Sequence, residues 1–589
     1  MYGPQNPFSQ ELHSTKYRAD GESFDDYCVR YARTTAHDER HFRDLLDALR
    51  HQRLLPAGRQ QLAVGRPYQV TAMNCYVGGV IEDSMDGIMD ECRRSAMTLR
   101  TGGGCGWDFS AIRPHGDPVR GLGFKAYATG PVSFMGIWNA MCSTVMSAGH
   151  RRGAMMGVLR IDHPDIMKFI HAKRDQSSLT NFNVSVAITD EFMEALANDA
   201  LYELKFDDVV YDKIRASDVW ATIMENNWDW AEPGVLFIDR INHMNPLAYC
   251  ETIYATNPCG EQPLPPNGAC LLGSMNIVKY LTPTMMTTNG NVFERRYTLD
   301  RDLLKQDVAA AVRAFDRVID VTHYPLEQQR QAQQTKRRMG IGPTGMANAL
   351  EIMGFSYGTD EYITKQNEIL ELIRDTAYQT SIKLARELGS FDLFDAEGWL
   401  GSGFAQTLPE ELQDDIRKNG LRNGLLLSIA PTGTISMVAD NVSSGIEPPY
   451  TLTAKRLVHM PEGQVEVALN DYAYEFYDVK GETAQTVSAW AHVKVLCAAQ
   501  QYIDSAVSKT CNVYGVKEKT TNVGVTFAEF KDIYRYAYDN GAKGCTTFNV
   551  NGKRFGIISE AKDDSNSNPE AAGAACFIDP STGVRTCDG

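Results

Sequence analysis

MNCYVGGVIEDSMDGIMDECRRSAMTLRTGGGCGWDFSAI (73–112) reads as strand, helix, strand. MNCYVGG (73–79) and CGWDFSAI (105–112) are short apolar runs bounded by glycine. Between them Met85–Leu99 spaces its apolar residues as a helix does. The alternation continues outward. Strand candidates follow at MMGVLRI (155–161), NFNVSVAI (181–188), LLLSIA (425–430) and CTTFNV (545–550). Helix candidates follow at Phe134–Met146, Leu303–Val321, Ile369–Leu388, Val487–Val513 and Phe527–Tyr538. Such a succession predicts an α/β domain with largely parallel strands, wound open or closed into a barrel. The first 70 residues read as helical, with Phe42, Leu45, Leu46 and Leu49 on one face of 38–52. Near Ala561 the composition turns polar and aperiodic (AKDDSNSNPEAAGAA, 561–575), as a linker does. The expected division is therefore a helical region 1–70, an α/β domain 71–560 and a tail 561–589.

The chain has 589 residues, with Lys+Arg 58 against Asp+Glu 74 and a net charge of −16. That balance argues against a protein whose main task is gripping nucleic acid. No apolar run reaches 18 residues, and MYGPQNPFSQ lacks a signal-peptide pattern, so a cytoplasmic protein without a membrane partner is expected. None of the 13 cysteines forms a C-x-x-C pair, and no metal-ligand motif stands out. The default cysteine here is a small buried hydrophobe.

Several patterns carry little. Gly340, Gly342 and Gly345 form a G-x-G-x-x-G, but the preceding QQTKRRM is polar and helical, not the strand a dinucleotide fold needs. His37 and His41 lie four apart, and a solvated helix face explains them better than a metal. TGGGCG (101–106) lacks the Lys-Ser/Thr of a phosphate loop and reads as a close-packed turn.

Two stretches carry more. ATNPCGEQPLPPNGACLLGSMNI (255–277) sets Asn257, Cys259 and Glu261 at alternate positions, which in an extended segment share one face. A carboxylate beside a thiol can act as general base, and an amide can orient a hydroxyl. In LLLSIAPTGTISMVADNVSSGIEPPY (425–450) an apolar strand runs into a turn rich in hydroxyls and backbone N–H groups, which suits a phosphate.

With these residues in hand, the chain resembles the catalytic subunit of a ribonucleotide reductase. The resemblance rests on NCYVGGVIEDSMDGI (74–88), GGGCGWDFSAIRPHGDPVRG (102–121), HRRGAMMGVLRIDHPDI (150–166), NFNVSVAITDEFM (181–193), NPCGE (257–261), RRMGIGPTGMANAL (337–350), APTGTIS (430–436), SSGIEPPY (443–450) and GAKG (541–544). It implies a ten-stranded α/β barrel of two five-stranded halves, with a finger loop through its centre. By resemblance, Cys259 is the thiyl-radical cysteine, Glu261 takes the ribose 3′-OH proton, and Asn257 orients the ribose hydroxyls. Cys75 and Cys270 resemble the pair that delivers two electrons and ends as a disulfide. Thr432, Gly433, Thr434, Ile435 and Ser436 match the substrate-phosphate turn. Asp83, Ser84, Ile88 and Arg113, with the loop 150–154, match the specificity-effector site. Cys576 and Cys587 resemble the swinging pair that re-reduces the active site.

The implied activity is radical reduction of ribonucleotides, di- or triphosphate, to deoxyribonucleotides. The alternative is an inactive nucleotide-binding regulatory protein on the same barrel. The implied partners are a dNTP or ATP effector such as dTTP, a thioredoxin- or glutaredoxin-like reductant, and a second copy in a homodimer. LLPAGRQQ (54–61) departs from the Ser/Thr-rich element of many relatives, and the short run before Cys75 leaves little room for an ATP-cone and its on–off switch. After GAKG, Cys545-Thr546-Thr547-Phe548 replaces the tyrosine pair of relatives served by a separate metal-containing β subunit. That departure favours adenosylcobalamin as radical source. A separate radical-generating metallo-subunit stays open, with Tyr534, Tyr536 and Tyr538 as another relay.

Overall fold

Met155–Arg160 and Phe182–Ile188 are apolar along nearly their whole length and buried on both faces, as a parallel strand between two apolar layers must be. The computed structural model describes residues 2–119, 125–145, 153–174, 177–288, 291–460, 463–519, 521, 523–553, 577–578 and 585–586. Five strands run parallel in the order Cys75–Val77, Gly104–Asp108, Met155–Arg160, Phe182–Ile188 and Gly234–Phe237. Beyond the last, Gly544–Asn549 joins antiparallel, followed by Thr510–Gly515 and Gly524–Val525. At the other edge Ala269–Cys270 lies antiparallel to the Cys75 strand, completing nine strands. A second sheet holds Leu54–Pro56, Leu272–Asn276 and Gly340–Thr344, the last two parallel. Besides five two-stranded ladders, the described residues thus hold a nine-stranded and a three-stranded sheet, rather than one continuous sheet of ten.

The apolar residues divide accordingly. A large core lies between sheets and helices. A separate small cluster holds Cys75, Val77, Val158, Leu236, Cys270 and Leu272, side chains from both sheets. Ala255 and Leu264, from the stem of the 255–264 hairpin, belong to this inner cluster.

Helix Met85–Arg100 starts where Ser84 accepts the Gly87 N–H, and helix Pro131–Thr144 starts on its proline. Helices Arg301–Val321, Asp360–Leu388 and Phe527–Asp539 contain the expected ones. The expected helix Val487–Val513 is overturned: Ala489–Gln500 is helical, but Thr510–Gly515 is a strand. Cys511 and Val513 are buried alternately there, a period of two inside a window read as a helix. Residues 7–50 hold three helices, Pro7–Tyr17, Phe24–Thr35 and Glu39–Arg50. His41, on helix Glu39–Arg50, is buried, and His37, just before that helix, is half-buried. Their Nε2 atoms meet the Arg313 and Ala310 carbonyls at 3.0 and 2.9 Å, against helix Arg301–Val321. The G-x-G strand Gly340–Thr344 is wholly buried in the sheet. No helix among the described residues is long and apolar enough to cross a membrane. Cys576, Cys587 and the loop 150–152 lie outside the described residues.

Candidate active site

The hairpin Ala255–Thr256 against Pro263–Leu264 carries Asn257–Gln262 at its tip. The tip closes on itself: Asn257 N donates to Gln262 O at 3.1 Å and Gln262 N to Asn257 Oδ1 at 3.0 Å. Gly260 takes φ +82°, a left-handed turn that suits glycine. The hairpin is held from two sides. On one side Gly106 is indispensable, because a Cβ there would lie 1.9 Å from Thr256 O. Asn183 Nδ2 donates to Pro258 O at 2.8 Å. On the other side Glu261 O accepts Ser428 Oγ at 3.0 Å and Ala506 N at 2.9 Å.

Asn257 and Glu261 meet, but not along an extended strand as the spacing suggested. The turn folds them together, and Asn257 Nδ2 donates to Glu261 Oε1 at 2.8 Å. Both are completely buried, whereas Cys259 at the apex is half-buried. Burial pushes the Glu261 carboxyl up to about 7, against the pull of the Asn257 bond. Its Oε2 is buried without a hydrogen-bond partner, so a polar acceptor inside the protein is left for a ligand.

Cys75 and Cys270 are directly opposite in the antiparallel register. Opposed residues of such a ladder have Cα atoms about 4.5–5.5 Å apart, inside the range a disulfide spans. Both are buried thiols. Burial holds the Cys270 thiol well above its ordinary range, and the charges of Cys75, Glu261 and Cys259 act on it in the same direction. The hairpin tip lies beside the pair: a Cβ on Gly104 would come 3.1 Å from the Pro258 ring and 3.3 Å from Cys75 Sγ.

After Ala430 the chain turns through Thr432, at φ +50°, into the short helix Gly433–Met437. Thr432 Oγ1 lies 3.0 Å from Thr344 Oγ1 and accepts Gly445 N at 2.8 Å. Ser436 Oγ lies 3.1 Å from Ser444 Oγ. Thr434 Oγ1 is buried without a partner.

At the expected effector site, Asp83 and Arg113 pair with each other, Nε to Oδ2 at 2.7 Å and Arg113 N to Asp83 Oδ1 at 3.1 Å. Ser84 is engaged as the helix cap, and Ile88 is buried in the outer core. Asn183 and Ser428 went unnoticed in the sequence, where a single Asn and a single Ser carry no pattern. Tyr534, Tyr536 and Tyr538 sit on helix Phe527–Asp539. The Tyr534 hydroxyl meets Thr547 and Asn227, at 2.9 Å each, behind the sheet.

Residues 73–548 match the family model described as "Ribonucleotide reductase, barrel domain". The chain belongs to the ribonucleotide reductase family. It is 33% identical over 516 residues to the vitamin B12-dependent ribonucleoside-diphosphate reductase of Thermoplasma acidophilum, covering 82% of this chain and 62% of that relative. The reductase of the same name from Mycobacterium tuberculosis is 31% identical over 82% of this chain and 68% of its own length. The Helicobacter pylori ribonucleoside-diphosphate reductase subunit alpha is 26% identical, over 82% and 71%. The reductase motifs of the sequence and the interior site thus fall within the matched residues.

Proposed function

We propose that this reductase chain converts ribonucleoside diphosphates to deoxyribonucleotides through a thiyl radical on Cys259. The observation that carries the reading is the convergence of Cys75, Cys270, Cys259 and Glu261 on one buried space. The thiyl sulfur takes the ribose 3′-hydrogen, and Glu261 takes the 3′-OH proton while Asn257 holds the hydroxyls. The 2′-OH leaves as water with one proton from the cysteine pair, and the pair's second hydrogen goes to C2′. Cys75 and Cys270 thereby give up two electrons and two protons and become a disulfide, Glu261 returns the proton to the 3′-oxygen, and Cys259 returns its hydrogen to C3′. With its carboxyl near 7, Glu261 can both accept and return a proton at neutral pH. A buried site keeps the radical from solvent.

The surrounding strands form the ten-stranded barrel of two five-stranded halves in this reading. Support comes from Leu425–Ile429, which bonds both neighbours: Ile341 N to Leu426 O at 2.8 Å on one side, Ser508 N to Ile429 O at 2.9 Å on the other. Thr432–Ser436 would take the substrate phosphate, with the unpartnered Thr434 hydroxyl as a donor. Regions 1–70 and 561–589 would flank the catalytic domain, and Cys576 and Cys587 would re-reduce the active-site pair at the expense of a thioredoxin-like protein.

Adenosylcobalamin, when bound, supplies the carbon radical that oxidises the Cys259 thiol. Beside the finger the lining is small and polar: Asn183 donates to Pro258 O, and Gly234 adds no side chain next to the Ser185 and Thr546 hydroxyls. Asn183, Ser185, Gly234 and Thr546 would border the group. A tyrosine relay has less support, since Tyr534 faces away from the finger. For regulation, Asp83 and Arg113 would receive a dNTP, whose phosphate must compete with Asp83 for the guanidinium. Exposed Met85, Met89 and Met97, with a groove of about 620 Å³ over Gly136, Ile137 and Ala140, would form a two-fold dimer contact. The test is deoxynucleotide formation with added adenosylcobalamin alone. Cys259→Ser should abolish it while substrate still binds, and retained turnover would sink the reading.

A further inference from the structure

Segment Ser443–Glu447 runs beside the phosphate turn, and each of its residues is tied down. Asn348 Oδ1 accepts Ser443 N at 2.6 Å, and the Asn348 amide donates to both Asp471 oxygens at 2.9 Å. Ser444 Oγ meets Ser436 Oγ at 3.1 Å, and Gly445 N donates to Thr432 Oγ1 at 2.8 Å. Tyr357 OH donates to Ile446 O at 2.8 Å. The Glu447 carboxylate accepts Lys509 Nζ and Thr510 N, both at 2.6 Å.

The Lys509 end is the costly one. Its side chain is 0% exposed, and a buried ammonium is tolerated only when fully paired. Lys509 also donates to His492 Nδ1 at 2.9 Å and lies 5.6 Å over the Tyr357 ring. Burial and the neighbouring Lys509 charge keep His492 neutral, which lets Nδ1 accept. Two middle residues of the segment touch the turn, while Lys509 touches neither the turn nor the finger in any hydrogen bond described above.

We propose that Lys509 is a positioning residue of the phosphate turn. Through Glu447 it sets Ser443–Glu447 in register, so that Ser444 and Gly445 hold Ser436 and Thr432 ready for a phosphate. The inference rests on the phosphate-turn reading of Thr432–Ser436. Both are tested by titrating the full chain with a ribonucleoside diphosphate and with the matching unphosphorylated ribonucleoside. Lys509→Met should weaken diphosphate binding by about tenfold, the loss of one charge-assisted hydrogen bond, and leave nucleoside binding within about twofold. Lys509→Arg should recover most of the loss. Where Lys509→Met does not fold, Glu447→Gln, which keeps an acceptor but not the charge, should give the same selective loss in smaller measure. Thr434→Val serves as the direct probe of the turn. Selective loss in Thr434→Val, with equal or no loss in both clamp variants, would overturn the positioning role alone. No selective loss in Thr434→Val would overturn the phosphate-turn reading and the inference with it.

Discussion

Between Cys75 and Phe237, five strands are joined by continuous parallel ladders and covered by apolar side chains. From Leu272 to Asn549 the counterpart strands lean on buried polar groups instead. Asp504 accepts Leu426 N at 2.7 Å and Leu427 N at 3.0 Å, and takes the Tyr378 hydroxyl at 2.7 Å. Lys543, wholly enclosed, holds the Asp504 and Ser505 carbonyls. Asp316 gathers Arg337 at 2.7 Å and Asn423 at 2.9 Å. The difference follows from what each half carries. The first half offers one thiol and a wall for the finger, which an apolar ladder supplies. The second ends in the turn at Thr432, where side-chain hydroxyls and backbone N–H groups cluster, and its strands are held by side-chain anchors more than by ladder.

The comparison can be broken most sharply at the two cysteines, which face each other where strand Ala269–Cys270 closes the edge of the first five strands, just before the chain enters the second region. Cys75→Ser and Cys270→Ser should each limit the protein to at most about one deoxynucleotide per site, read in a quenched assay, because the two-electron donor is incomplete. Sustained turnover in either variant would separate the pair. Next in size are the glycines that admit the finger. Gly106→Ala drives a methyl into Thr256 O and should lower kcat by about a hundredfold, the cost of misplacing a reacting group by about 1 Å. Gly342→Ala would strike Ser428 O, one bond network removed from Glu261, and should cost less. Equal losses would mean that the two walls position the finger alike.

A smaller effect belongs to stability. Asp504→Asn should destabilise the chain by about 1–3 kcal/mol in denaturant, because one amide arm then faces the Leu427 N–H. Ser185→Ala in the first half has no such anchor to lose and should change little. The smallest effect is a pH slope. The Glu261 carboxyl is raised from 4.5 to about 7 in the folded protein, so folding favours its protonated form. Wild type should therefore lose stability relative to Glu261→Gln as pH climbs from 4.5 through about 7, with no difference below that window. The rate of reduction should climb over the same upper limb, where the base form appears, and a flat profile would count against Glu261 as the proton acceptor.

The two halves also differed in how much the sequence disclosed. Strands at Met155–Arg160 and Phe182–Ile188 were plain, because an apolar strand announces itself by composition. Gly340–Thr344 was not, because its glycines serve close approach: a Cβ on Gly342 would meet Ser428 O at 2.1 Å. Thr510–Gly515 was read as helix because the apolar window ran on past Gln500. The candidate set Asn257, Cys259, Glu261, Cys75 and Cys270 was chosen through family motifs, and the register that sets Cys75 opposite Cys270 could not be had from spacing alone. The Asn257–Glu261 bond across the turn was hidden because alternation assumes an extended chain. The pairing of Asp83 with Arg113 was hidden too, since the residues are 30 apart in sequence.

The account turns on the substrate, once activated by Cys259, drawing its two electrons from Cys75 and Cys270. The direct measurement is a single turnover of a chain carrying Cys576→Ser and Cys587→Ser, fully reduced, with a ribonucleoside diphosphate and adenosylcobalamin but no external reductant. Deoxynucleotide is quantified against the Cys75–Cys270 disulfide in peptide maps. One product per disulfide is predicted, and neither should form when Cys259→Ser is added. Product without that disulfide, or product from the Cys259→Ser chain, would contradict it.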